Sequence, residues 1–182
     1  FPGSRKQELN RHLPVFIKVT EKLKYKNPNI QFIIGIAHEL NLNNFSMPEW
    51  IQIEKNYPKK VLECADLALV ASGSATLEAA VFGTPMIIVY KMALLSWWLS
   101  KLLVKTDYAG MVNIIAGEKI MPEFLQNQAT TEPIVNEAFE IISNHEKQAN
   151  MRYELLNVKQ KLQGKGASKR AAKYILSLTQ SK

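Results

Sequence analysis

The sequence has 182 residues, of which 47% are hydrophobic and 21% are charged. This apolar content excludes a disordered chain, and the length fits one packed domain better than two. The single cysteine, Cys64, excludes an intramolecular disulfide and a cysteine-rich metal site, so we expect a reducing, cytosolic setting.

The net charge of +7 is concentrated in the C-terminal part of the chain. Residues 1–144 hold 14 basic and 14 acidic side chains, whereas residues 145–182 hold nine basic side chains against two acidic ones. This segment can attract an anionic membrane surface or a polyphosphate. A solvated helical face explains the excess of basic side chains equally well. Nucleic acid is not an expected partner, because most of these charges are lysines spaced along predicted helices.

The first half of the chain predicts an alternation of strands and helices. Short apolar runs predict strands covered on both faces, at residues 32–36, 50–53, 67–71 and 86–90. Helices are expected at about residues 5–26, 57–65 and 74–82. Pro14 is expected to kink or restart the first helix. This order predicts an α/β fold with a Rossmann-like open parallel sheet, flanking helices and a helical C-terminal segment.

The opening residues, from Phe1, look like the end of a strand that enters a turn, so we expect a piece of a longer protein. After residue 91 the pattern predicts helices alone, and residues 94–104 are apolar nearly all round. That helix is too short to span a bilayer, which needs about 20 residues. It is either core or subunit interface, or a membrane-facing patch whose candidates are Trp97, Trp98, Lys101 and Lys105.

The first candidate site is the loop Pro2-Gly3-Ser4-Arg5, where a predicted strand meets a predicted helix. Amides at a helix N-terminus attract anions, glycine permits close approach of a phosphate, and Arg5 supplies a forked cation. The loop therefore predicts a diphosphate cradle. The alternative is a capping box formed by Ser4 and Gln7.

The second candidate is the turn Ser72-Gly73-Ser74-Ala75-Thr76, which follows a later predicted strand. Glu78, one helical turn after Ser74, suits the hydroxyl groups of a ribose. The alternative is a polar turn that only caps a helix. Because open α/β sheets bind ligands at the carboxyl ends of their strands, the two turns together predict a nucleotide site.

The third candidate set is Asn113, Glu123 and Gln126, expected on loops or short turns, with helix capping as the alternative. The histidines at positions 12, 38 and 145 have no neighbours at metal-ligand spacing. No catalytic triad or general base is visible, and no metal site is expected.

The ordered set of these motifs resembles the lipid-A-disaccharide synthase family. The blocks that carry the resemblance are Pro2-Gly3-Ser4-Arg5-x-x-Glu8, residues 71–78, residues 85–91, residues 103–108 and residues 113–126. The resemblance runs from Phe1 to about Gln126, and the basic tail also fits. It implies half of a GT-B glycosyltransferase: a single nucleotide-sugar-binding domain over residues 1–182, with a βαβ core at 1–92 and helical completion at 93–182. The N-terminal acceptor domain would lie outside this chain.

The resemblance implies transfer of 2,3-diacylglucosamine from its UDP derivative to 2,3-diacylglucosamine 1-phosphate. The reaction would invert the anomeric centre, release UDP and use no metal or other cofactor, as a step of lipid A and lipopolysaccharide biosynthesis. The catalytic base would lie in the missing domain, so the chain alone would bind UDP without catalysis. The implied donor-binding residues are Gly3, Ser4, Arg5, Ser74, Ala75 and Thr76 at the diphosphate, Glu78 at the ribose, and Asn113, Glu123 and Gln126 near the diphosphate and sugar. Ser72 and Gly73 are also expected in the donor site.

The resemblance also implies a peripheral protein on the cytoplasmic face of the inner membrane of a Gram-negative cell. Its partners would be the UDP-linked donor, the acylated acceptor, the membrane surface and a second copy bound through C-terminal helices. One alternative is another GT-B enzyme, such as the N-acetylglucosaminyltransferase of peptidoglycan precursor synthesis. The other is a basic membrane-binding or interaction module whose polar turns only cap helices.

Overall fold

The computed structural model describes residues 1–71, 73–93, 108–162, 166 and 171–176. The strands within these residues are β1 Phe32–Gly35, β2 Ile51–Glu54, β3 Ala68–Ala71, β4 Met86–Tyr90 and β5 Glu123–Leu125. The helices are α1 Lys6–Lys26, α2 Pro58–Cys64, α3 Ser74–Phe82, α4 Met111–Ala116, α5 Thr131–Ser143 and α6 His145–Leu162. Residues 171–176 are also helical. The α/β class, the four predicted strands and the C-terminal helices are therefore confirmed.

The strands form two open parallel sheets rather than the single sheet expected. β1 pairs with β2, and β3, β4 and β5 pair in that order. Phe1 lies between the sheets: its amino group donates to the Leu69 carbonyl at 2.9 Å, and its carbonyl accepts from the Ala71 amide at 2.8 Å. These are the bonds of a parallel pair, as expected for the end of a strand. Among the described residues, no ladder pairs β1 with β3.

The prediction that the strands are covered on both faces is confirmed for only some of them. Residues 86–89 of β4 are completely buried, as expected for a central parallel strand. In β1 and β2, however, Ile33 is 37% exposed and Ile53 is 43% exposed. The prediction was wrong here because an apolar run does not reveal which faces of its strand other elements cover.

Helix α1 continues through Pro14, so the expected restart does not occur. Proline removes the hydrogen bond that residue 14 would donate to the Asn10 carbonyl. Both residues lie on the exposed face of α1, where water can solvate that carbonyl. The opposite face is buried and holds the helix on the sheet through Leu9, Leu13, Phe16, Val19 and Leu23.

The second half of the chain is not helical throughout, because β5 adds a parallel strand to β4 with Ile88 opposite Glu123. A three-residue strand after Pro122 is too short to produce an apolar alternation, which is why the sequence pattern missed it. One continuous core joins both halves and includes Phe16, Ile88 and Ile134. Helix α5 packs against α1 across this core.

Several expected features fall outside the described residues. These are Ser72 and the whole apolar segment 94–104 with its neighbour Lys105, including Trp97, Trp98 and Lys101. In the part of the chain that the structure describes, no helix combines the length and apolar character needed to cross a membrane.

Candidate functional site

The carboxyl ends of the strands bring the predicted loops to one edge of the fold. Since the described strand pairs are parallel, the carboxyl ends of the strands in each sheet point the same way. The hydrogen bond from the Ala71 amide to the Phe1 carbonyl places the ends of these two strands side by side. The loop at residues 2–5 and the turn that leads into α3 therefore start from neighbouring positions, as the sequence predicted.

The first loop is shaped by contacts between Gly3 and Glu8. Gly3 has φ +124°, and a Cβ atom at this position would lie 2.5 Å from the Glu8 Cβ. The Glu8 carboxylate accepts hydrogen bonds from the amides of Ser4 at 2.8 Å and Arg5 at 3.3 Å. A capping interaction is thus present, but Glu8 rather than Gln7 supplies it. Nη1 of Arg5 lies 3.6 Å from Glu8 Oε1. The Arg5 side chain is nevertheless 81% exposed, so its guanidinium group is accessible to an anion at this edge.

The second turn leaves the start of α3 without a side-chain cap. Gly73 precedes the helix with φ +149°, and Ser74 at the first helical position is exposed. Thr76 is buried, and its hydroxyl donates to the Gly73 carbonyl at 2.8 Å, so this hydroxyl stabilises the turn itself. The first backbone amides of α3 therefore remain the anion-attracting feature of this turn.

Glu78 forms an ion pair that sequence reasoning missed. Its Oε1 lies 3.0 Å from Nζ of Lys59, which belongs to α2. Because α2 follows the carboxyl end of β2, a basic residue in its first turn lies near the same edge of the fold. A basic residue placed just after a predicted strand was the signal that could have identified Lys59.

Asn113 is completely buried and bonded entirely within the protein. Its amide nitrogen donates to the Met121 carbonyl at 2.9 Å and to Glu123 Oε1 at 2.7 Å. Its side-chain oxygen accepts from the amides of Ile120 at 3.1 Å and Met121 at 2.9 Å. Asn113 lies in α4 rather than in a loop, and it fixes the turn that leads into β5.

Glu123 completes this buried network from β5. Its two carboxylate oxygens accept from the amides of Ala109 and Gly110, each at 2.9 Å. A Cβ atom on Gly110 would lie 2.3 Å from Cδ1 of Ile88 and 3.0 Å from Glu123 Oε1, so a larger residue here would displace the end of the Ile88 side chain. Glu123 therefore positions the backbone before α4.

Gln126 connects the carboxyl ends of β4 and β5. Its side-chain oxygen accepts from the Met92 amide at 3.0 Å, and its side-chain nitrogen donates to the Met92 carbonyl at 3.3 Å. Gln126 has φ +49°, the left-handed region that non-glycine residues seldom occupy. Asn113, Glu123 and Gln126 thus lie at or behind the same edge, each bonded to backbone.

His12 is a buried residue at this edge that sequence reasoning did not single out. Its Nε2 accepts from the Lys91 amide at 2.9 Å, and its Nδ1 lies 3.2 Å from the Pro2 carbonyl. The ring stacks on Tyr90 with centroids 6.2 Å apart. Burial lowers the pKa of His12 below its usual value, an effect that outweighs its hydrogen bond to Pro2. The neutral ring therefore carries its proton on Nδ1 and donates it to Pro2.

Within the described ranges, no group of three or more His, Cys, Asp or Glu side chains is placed to hold a metal ion.

Comparison with known proteins gives one consistent result. Residues 1–177 match the model of a family described as Lipid-A-disaccharide synthetase. The lipid-A-disaccharide synthase of Nitrosococcus oceani is 34% identical over 184 residues, covering 97% of this chain and 47% of the relative. Those of Coxiella burnetii and Trichlorobacter lovleyi are 35% and 32% identical, with 98% and 99% of this chain covered and 48% of each relative. The chain spans about half the length of the curated relatives it matches.

Proposed function

The chain belongs to the lipid-A-disaccharide synthase family, and from this premise we propose that it is the donor-binding half of a GT-B glycosyltransferase. The observation that carries the proposal is the pair of turns, at residues 2–5 and 73–78, that begin side by side at the carboxyl edge of parallel strands. This is the position at which open α/β sheets bind nucleotides.

The whole protein would transfer 2,3-diacylglucosamine from its UDP derivative to 2,3-diacylglucosamine 1-phosphate, with release of UDP. A diphosphate leaving group gains negative charge, which positive groups and helix N-termini stabilise. The exposed Arg5 and the uncapped start of α3 at Ser74 and Ala75 supply such groups. Since Glu8 binds the Ser4 amide, we place the main diphosphate contacts at α3 and at the Arg5 side chain.

Glu78 would bind the ribose hydroxyls. Its present partner, Lys59, is exposed, and exposed ion pairs contribute only about 0–1 kcal/mol. Ribose hydroxyls can therefore replace Lys59 at small energetic cost. The released ammonium group would then add positive charge beside the diphosphate.

Asn113, Glu123 and Gln126 would act on the donor site through the backbone that they hold. The first two fix the segment before α4 and the turn into β5, and Gln126 fixes the residues after β4. This role differs from the direct contact expected from the resemblance, because each side chain already has backbone partners.

The remaining parts of the proposal follow the family. The acceptor-binding half and the catalytic base would lie outside this chain, and the reaction would need no metal. The uracil would lie against the loop after β2. The whole protein would be peripheral on the cytoplasmic face of the inner membrane, and a second copy would bind through the C-terminal helices.

We expect Glu78→Ala to weaken UDP binding about 10- to 100-fold, the effect of losing a hydrogen bond to a charged group. The measurement is calorimetric titration with UDP and with 2′,3′-dideoxy-UDP, which lacks both ribose hydroxyls. The original chain should prefer UDP, and Glu78→Ala should bind the two ligands equally. Glu63→Ala, which removes an exposed carboxylate from α2, is the control and should keep the preference. A Glu78→Ala variant that still discriminates would remove Glu78 from the ribose site.

A further inference from the structure

His12 connects two backbone segments that lie far apart in the chain. Its Nε2 accepts from the Lys91 amide, 79 residues away, and its Nδ1 faces the Pro2 carbonyl. The side chain is completely buried, and its ring stacks on Tyr90. A buried imidazole with a partner on each nitrogen fixes both its own orientation and that of the two segments.

The contact with Pro2 fixes the orientation of the first peptide in the loop at residues 2–5. The Pro2 carbonyl and the Gly3 amide belong to one planar trans peptide, so they point in opposite directions. Because His12 binds the Pro2 carbonyl oxygen from the core, the Gly3 N–H is turned away from the core. On the other side, the Lys91 amide is fixed just beyond the carboxyl end of β4.

We propose that His12 is a positioning residue of the donor site, which holds the Pro2–Gly3 peptide and the Lys91 backbone in the arrangement that receives the diphosphate. This inference rests on the proposed function of the edge as a UDP site. It extends that function by adding a residue that lies behind the loops and need not touch the ligand.

The arrangement requires a neutral ring. Protonated Nε2 would carry a hydrogen that faces the hydrogen of the Lys91 amide, and the bond between them would be lost. The charged groups that act on the ring are Glu8, which favours the protonated form, and Arg11, which opposes it. Tyr90 and the uncharged backbone of Lys91 face it from β4. Burial has the largest effect and favours the neutral form.

The direction of the pH effect follows from this balance. The pKa of His12 in the folded chain lies below its ordinary value of about 6.5. The stability contributed by the neutral ring is therefore present above about pH 6.5 and is lost as the pH falls through the lower pKa of the folded state. UDP affinity should fall over the same acidic range, because the loop loses its support there.

The test compares UDP titrations of the 182-residue chain and its variants between pH 5 and 7.5. His12→Leu keeps the packing but removes both hydrogen bonds, and we expect affinity to fall about tenfold at pH 7.5. His12→Gln can still accept from the Lys91 amide and should retain most of the affinity without the acidic loss. His145→Gln, which replaces an exposed histidine at the start of α6, is the matched control. Because the phosphate of UDP also titrates in this range, variants are compared with one another at each pH.

The outcomes separate this inference from the proposed function. One outcome is that the original chain binds UDP, and that a His12→Leu variant shown to be folded by circular dichroism has the same affinity and pH profile. This outcome overturns the positioning role and leaves the proposed function standing. If His12→Leu does not fold, a His12→Gln variant that shows the same acidic loss of UDP affinity as the original chain overturns the role in the same way. If the folded original chain does not bind UDP at any pH, the proposed function fails, and the role of His12 fails with it.

Discussion

Replacing Gly3 by alanine should abolish measurable UDP binding and lower the free energy of unfolding by about 2–6 kcal/mol. A residue with a side chain is strained at φ +124°, which costs about 1–3 kcal/mol. The new Cβ would also lie 2.5 Å from the Glu8 Cβ and 2.7 Å from Glu8 Oε2, and such overpacking costs about 1–3 kcal/mol more. Because the Glu8 Cβ is attached to the backbone of α1, the loop or the helix must move. Urea unfolding and UDP titration measure the two effects.

Gly83→Ala is the matched control for this prediction. Gly83 ends α3 with φ +72°, and nothing lies within 4 Å of the position that a Cβ would take. This variant should therefore show the backbone cost alone and keep UDP binding. Adding Glu8→Ala to Gly3→Ala should not restore the loop, because the closest contact involves the Cβ atom that alanine retains. Equal stabilities of Gly3→Ala and Gly83→Ala would contradict the account of this loop.

Asn113→Ala should destabilise the chain by about 3–5 kcal/mol. The substitution leaves the amide and the carbonyl of Met121 without the partner that they have in the buried turn, and the Ile120 amide keeps only its bond to the Glu118 carbonyl. Each buried polar group that loses its partner costs about 1–3 kcal/mol. Glu123 also loses a donor to its carboxylate. Urea unfolding, followed by circular dichroism, measures the change.

Gln126→Ala provides the comparison for the buried network. It removes two side-chain hydrogen bonds to a single residue, Met92, that is only partly buried. Water can replace these bonds, so the expected cost is about 1 kcal/mol. An Asn113→Ala variant that is no less stable than Gln126→Ala would contradict the structural role assigned to the network.

Local signals in the sequence were sufficient to predict much of the fold. Helix α3 was predicted at the residues it occupies, since Gly73 and Gly83 mark its two ends. The strands of the first half were predicted within one or two residues because each is a short apolar run between turn residues. Phe1 was predicted as the end of a strand, and its parallel hydrogen bonds to β3 confirm that position.

The contacts that organise the site depend on tertiary packing, and the sequence pattern does not show them. His12 and Lys91 are 79 positions apart, and only the packing of α1 against the end of β4 brings them together. Asn113 and Glu123 are residue types that often bind ligands. They form a buried hydrogen-bonded pair because the short strand β5 places Glu123 beside β4. Glu8 was quoted in a motif without a role, although its carboxylate binds the amides expected to meet phosphate.

The central claim is that the carboxyl edge of these strands is a UDP site. The most direct test is calorimetric titration of the folded chain with UDP, UMP and ADP, together with Arg5→Ala. We expect UDP to bind more tightly than UMP or ADP, and Arg5→Ala to weaken UDP binding about tenfold or more, since it removes a charged partner of the diphosphate. Binding to anionic liposomes with no affinity for any of the three nucleotides, in a chain shown to be folded, would contradict the claim and favour a membrane-binding module whose turns only cap helices.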